Sequence, residues 1–172
     1  MQLMLLFVGL VRARTFLIFC QLFAAFNGIA SAELLTGTVT SVHDGDTITL
    51  HTEAGTKKIR LAGIDAPEIK QPHGIESRDA LRQDVLNQPV TVDTTKQDKY
   101  GRSVGKVLLE GEDINLKQVT RGLAWVYTEY IKELSQEDQV LYLAAESAAN
   151  DARRALWHDE QPAAPWNYRK SE

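Results

Sequence analysis

Residues 42–68 read VHDGDTITLHTEAGTKKIRLAGIDAPE, and the fold turns on how this stretch is read. Two alternating runs, Thr47–Thr52 and Lys57–Gly63, flank the turn Glu53-Ala54-Gly55. The pattern predicts an antiparallel hairpin over residues 46–63. A turn centred near Ala54 puts Asp46 opposite Ala62 or Gly63 and Arg60 near Ile48. Asp44-Gly45-Asp46-Thr47 and Asp65-Ala66-Pro67-Glu68 then end at the same rim of the sheet. Parity puts Asp46 on the strand face of Ile48 and Leu50, the side expected to meet the core. An inward carboxylate there is costly unless a metal ion or an arginine pairs with it, and Arg60 lies on the same hairpin.

Outward from the hairpin, Leu35–Val42, Val90–Thr95 and Ser103–Leu109 keep the two-residue period, giving five short strands in all. One helix interrupts them over Ile75–Gln88, with Ala80, Leu81 and Val85 at helical spacing and Pro89 at its end. After Leu109 the pattern is helical. Asn115 is the expected N-cap and Gly122 the stop of a two-turn helix. A longer helix opens on the capping-box-like Ser135-Gln136-Glu137-Asp138 and runs through Ala155. The tail Gln161-Pro162-Ala163-Ala164-Pro165 reads as extended, with Trp166 and Tyr168 either packed down or hanging free. Five short strands with helices inserted and appended predict an α+β fold around a small barrel. Closure removes exposed strand edges, and the five-stranded version is the OB barrel.

The chain has 172 residues, 44% hydrophobic and 24% charged, which excludes disorder and collagen-like repeats and leaves room for one domain rather than two. The first 32 residues read as an export signal: Arg12 and Arg14 precede the apolar run Thr15–Phe26, and Ala30-Ser31-Ala32 offers a cleavage site after Ala32. A retained membrane anchor is the alternative. Cys20, the one cysteine, lies inside this segment, so the remaining chain has no disulfide or thiolate chemistry and depends on its core. That remainder has 17 basic and 23 acidic residues, a net charge of −6. Bulk attraction to polyanions is thereby excluded, and any nucleic-acid or anionic-membrane role needs a local basic site.

Asp46 and Asp65, with a backbone carbonyl and waters, form an oxygen donor set for Ca2+ or Mg2+, and no His or Cys set exists for zinc. Calcium is favoured because it tolerates an irregular, partly hydrated site. His43, His51, His73 and His158 lack metal-ligand spacing. A hard cation and Arg60 together suit a phosphodiester, with Glu68 as a spare carboxylate to activate water. The plain alternative makes the two acidic motifs a polar turn and a loop entry. Asp98-Lys99-Tyr100-Gly101-Arg102, between the last two strands, is either a solvated hairpin loop or a source of one guanidinium, one phenol and one ammonium for phosphate.

The order Val42-His43-Asp44-Gly45-Asp46-Thr47, Ile59-Arg60-Leu61, Asp65-Ala66-Pro67-Glu68, Asp98-Lys99-Tyr100-Gly101-Arg102 and Gly122-Leu123-Ala124 resembles the staphylococcal nuclease-like (thermonuclease) family. The resemblance covers Leu35 to Trp157. It implies an OB barrel with three helices and calcium-dependent hydrolysis of DNA and RNA at the P–O5′ bond, leaving 3′-phosphates. Asp46, Asp65 and the carbonyl of Ala66 would hold calcium, and Asp44 would stand behind them. Glu68 would act as general base or orient the water, while Arg60 and Arg102 would grip the phosphate. Lys99 and Tyr100 would bind a terminal phosphate, and Tyr130 would flank a base. Trp125 and Tyr127 either stack bases or fill the gap between barrel and helix. The stretch Ile69–Glu76 is shorter than the loop in the best-known members.

The expectation is therefore an exported, monomeric, calcium-dependent nuclease without a stable protein partner, free of the membrane once its signal is removed. Residues 33–160 would form the domain and residues 161–172 a tail. The rival is a non-catalytic OB module that binds nucleic acid or protein, which has no reason to keep these acids and arginines together.

Overall fold

The computed structural model of the chain describes residues 33–171. Strand β1 (Glu33–Asp44) is long enough to serve two neighbours. Its first half pairs antiparallel with β5 (Pro89–Gln97) and its second half with β2 (Thr47–Thr52). Irregularities between Val39 and Ser41 and between Val42 and Asp44 bend it from one to the other, as bulges do. β2 continues through the hairpin into β3 (Gly55–Leu61). β4 is the two-residue Ile64–Asp65, and β5 pairs with β6 (Ser103–Leu109). A parallel seam, with Ile59 opposite Ser103 and Leu61 opposite Gly105, joins β3 to β6 and closes the order β3-β2-β1-β5-β6 into a five-stranded barrel. The α+β OB architecture expected above is the one observed.

Alternation fills the barrel. Val39, Ile48, Leu50, Ile59, Val92 and Val107 are fully buried, and β2 and β3 send polar side chains outward between them. Helix α1 (Gly74–Val85) covers the barrel with Leu81 and Val85. A short strand β7 (Glu112–Asp113) leads into α2 (Ile114–Thr120), which buries Ile114 and Val119. β8 (Trp125–Val126) pairs with β4. Helix α3 (Gln136–Asp151) buries Tyr142, whose hydroxyl donates to Asp113 Oδ2 at 2.8 Å. Among the described residues no helix is long and apolar enough to cross a membrane. The expected export signal and Cys20 lie outside the described residues.

Five details differ from the sequence reading. The hairpin register is one residue tighter: Thr47 faces Arg60, Ile48 faces Ile59, and the Leu61 amide donates to the Asp46 carbonyl at 2.8 Å. Helix α1 stops at Val85 rather than Gln88, because the chain must turn into β5 at Pro89, and Asn87 takes a left-handed φ of 61° to do it. Asp113, not Asn115, caps α2, accepting from the Leu116 amide at 2.9 Å. Asn115 is instead fully buried, accepting from Val107 N and donating to the carbonyls of Ala62 and Gly105. Helix α3 ends at Asp151, where the chain reverses so that Leu156 and Trp157 can cover Ala149. Finally, the tail turns helical at Pro165, giving a fourth helix, α4 (Pro165–Ser171), with proline at its first position.

Candidate active site

The Asp44–Thr47 turn is held from behind by buried polar side chains. Gln118 Nε2, on α2, donates to the Gly45 carbonyl at 2.9 Å and the Ser77 carbonyl at 3.1 Å, and Ser77 Oγ donates to Leu123 O at 2.7 Å. Gly45 is required by space, since a Cβ there would lie 1.9 Å from Ser77 Oγ and 2.6 Å from Ala66 Cβ. Within the turn, Asp44 Oδ1 accepts from the Asp46 amide at 3.1 Å. Asp46, 4% exposed, then accepts from Thr47 Oγ1 at 3.1 Å and from the Ala66 amide at 2.6 Å. That last bond ties the first acidic motif to the second.

Asp65, 1% exposed, sits on β4 beside Asp46. One guanidinium spans both: Arg60 Nη2 donates to Asp65 Oδ1 at 2.7 Å, and Nη1 forms an ion pair with Asp46 Oδ1. Burial pushes Arg60 below the ordinary arginine value, and the neighbouring Asp65 and Asp44 oppose that shift. Glu68 follows on a loop closed by its carbonyl accepting from the Gln71 amide at 2.8 Å and by its amide donating to Gln71 Oε1 at 3.2 Å. Gly74 opens α1 directly against this loop, where a Cβ would lie 1.9 Å from the Glu68 carbonyl oxygen.

These groups line a cleft of about 690 Å³. Asp44, Asp46, Arg60, Asp65, Ala66 and Glu68 form one side; Lys99, Tyr100, Arg102 and Tyr130 are also on its walls. Every site residue expected from the sequence is thus brought to one cleft. Arg102 is braced by Asp98, which accepts from its Nε at 2.7 Å and its amide at 3.0 Å. Burial works against the Asp98 carboxylate, but the hydrogen bonds from Arg102 and Tyr100 hold it below the ordinary range. Arg102 and Lys99 both lie over the Tyr100 ring, which is 72% exposed at the rim. Lys96, on β5, lies over Tyr130 at 5.0 Å and pairs with Glu133.

The carboxylates are hard oxygen donors, buried and close enough for one guanidinium to touch two of them, which suits a hard divalent cation. In the arrangement described, guanidinium groups hold that space, and no cluster of three His, Cys, Asp or Glu side chains encloses a cation-sized site among the described residues. The recorded bond of Ala66 is made by its amide, on Asp46.

The sequence reading leaves Tyr127 open between two roles and misses Arg169 on the cleft wall and Trp166 behind it. Tyr127 is on the wall, its ring 4.8 Å from that of Tyr130. Trp166 stacks on Tyr127, 5.4 Å away and within 2° of parallel, and meets Trp125 edge-on. Arg169 reaches back from α4 to Asp65 and Glu68. Pro165 as a helix start before Trp166 was the one signal available for this docking.

The chain is similar in sequence to known proteins. The chain is 39% identical over 134 residues to an uncharacterized endonuclease of Escherichia coli, covering 77% of this chain and 84% of that one. It is 34% identical over 144 residues to the micrococcal nuclease of Shigella flexneri, covering 78% and 80%. A plant relative, the staphylococcal-like nuclease CAN1 of Arabidopsis thaliana, is 35% identical over 115 residues, 67% of this chain and 34% of its own length. The staphylococcal nuclease homologue model matches residues 58–159, from β3 with its arginine to the turn after α3. With more than half of the chain matched, and the acids and arginines meeting in one cleft of an OB barrel, this chain belongs to the staphylococcal nuclease homologue family.

Proposed function

We propose that this protein is a nuclease that hydrolyses phosphodiester bonds of DNA, RNA or both, using calcium, at the P–O5′ bond. The observation that carries the reading is the convergence of Asp46, Asp65 and Glu68 with Arg60 and Arg102 in one cleft, on a chain of this family. Asp46, Asp65 and the Ala66 carbonyl would hold the ion, with Asp44 buttressing Asp46. Calcium, when bound, supplies charge neutralisation for the phosphate. The remaining work falls to side chains. Arg60 and Arg102 hold the non-bridging oxygens, whose charge grows as water adds to phosphorus. Glu68 takes the proton of that water or fixes its orientation. The P–O5′ bond breaks, the 5′ oxygen leaves with a proton, and phosphate stays on the 3′ side. Lys99 and Tyr100 would bind a terminal phosphate and Tyr130 would flank a base, a reading supported by their presence on the cleft walls.

The test is cleavage of end-labelled single-stranded DNA, and of RNA, with calcium and with a chelator. Calcium-dependent products bearing 3′-phosphates are expected. Folded protein that leaves both intact with calcium would assign the cleft to binding without cleavage. Glu68→Gln should lower kcat by about 10²–10⁴-fold, with the melting temperature nearly unchanged. Export after cleavage at Ala32 is part of the same proposal, and N-terminal sequencing of the native protein checks it: a chain beginning at Glu33 is expected.

A further inference from the structure

The family model matches residues 58–159, so α4 lies outside the matched region, as β1 and β2 do. It is nevertheless built into the site by three contacts. Gln71, 5% exposed in the Glu68 loop, donates to the Ala163 carbonyl at 2.5 Å. Trp166 stacks on Tyr127. Arg169 donates from Nη2 to Asp65 Oδ2 at 2.8 Å, and from Nη1 to Asp65 Oδ1 at 3.2 Å and Glu68 Oε1 at 2.8 Å.

Both oxygens of Asp65 are thereby engaged, Oδ1 by Arg60 and Arg169 and Oδ2 by Arg169. We propose that Arg169 is a resident competitor for the divalent cation: α4 docks a guanidinium on Asp65, a carboxylate that would otherwise hold the ion, so docking of α4 and cation loading exclude one another. This rests on the reading of Asp65 as a cation ligand.

A divalent cation would be a third positive group on a buried carboxylate that already carries two guanidiniums, and both of its oxygens are taken, so one guanidinium must leave when the ion binds. Arg60 is the one that stays, because its side chain is 13% exposed, lies on barrel strand β3 and also holds Asp46. Arg169 is 39% exposed and sits on a seven-residue terminal helix, too short to persist by itself and therefore easy to release. By linkage, whatever Arg169 takes from cation affinity the cation takes from the docking of α4. The tail thus sets the calcium concentration at which the site loads.

The experiment uses the full chain with calcium chloride as the probe. Isothermal titration of Arg169→Gln should show calcium binding tightened about tenfold, the return expected from partly exposed ion pairs. Arg169→Lys keeps the charge and loses the two-pronged contact, so its affinity should fall between the two. Amide exchange in residues 164–171 of the unaltered protein should be slow in chelator and speed up on calcium saturation. Calcium affinity of Arg169→Gln within twofold of the parent, or weaker, overturns the proposal, as does saturation with no change in exchange of α4. If the unaltered protein cleaves DNA with calcium while either of those results holds, only the competitor role fails. If neither protein binds calcium, the cation reading of Asp65 fails and the competitor role with it.

Discussion

Arg60 holds two acids that the barrel has taken almost entirely out of water. Replacing it by glutamine takes the ion-pair partner from Asp46 and leaves Asp65 with Arg169 alone, and losing one partner of a buried charge cluster costs about 3–5 kcal/mol. Urea denaturation of Arg60→Gln in chelator should show a loss of that order, and millimolar calcium should restore part of it. At this scale the acids and arginines were legible, because a carboxylate on the inward parity of a strand announces its need for a counter-charge. Asn115 was not. Its place near a helix start looked like a cap, but the side chain reaches into the barrel and holds three backbone groups that only tertiary structure brings together. Asn115→Ala would leave them with lost bonds in a dry place, at about 2–3 kcal/mol, read from the same denaturation curve.

Among the elements, β2 and β6 match their sequence-predicted bounds, since turn residues bracket both. Helix ends were harder. The ends of α1 and α3 are set by where the chain must next bury Val90 or Trp157, which local propensity does not encode. Helix α3 carries one testable burden. Its Glu146 accepts from the Val126 amide at 2.8 Å, and burial raises its pKa even though that bond opposes the shift. Between the ordinary carboxylate value and the raised one, the folded chain keeps a proton that the unfolded chain gives up. Stability therefore falls as pH rises through that window. Glu146→Gln keeps an acceptor for Val126 and removes the charge. Its melting temperature should exceed the parent's at neutral pH, and the two should converge near about pH 4, where the parent's Glu146 is protonated in both states.

Across the whole molecule, the barrel was legible from strand count and length, whereas the return of the tail was not. Residues 161–171 hold no long apolar run, and α4 docks by a few specific contacts, one ring on another and one guanidinium on two acids, that leave no periodic trace. The closing seam has a different significance. Strands β3 and β6 lie more than forty residues apart in the chain, and their parallel register puts Arg60 opposite Val104, two residues from Arg102. The two guanidiniums therefore become neighbours only when this long-range pairing forms, and pairings of that kind are slow because the intervening loop must first give up its freedom. A chain still emerging from synthesis, or one whose seam has opened, has its acids at and just after one hairpin and Arg102 elsewhere. The cleft thus exists only in the closed barrel, and opening the seam would take Arg102 away from Arg60.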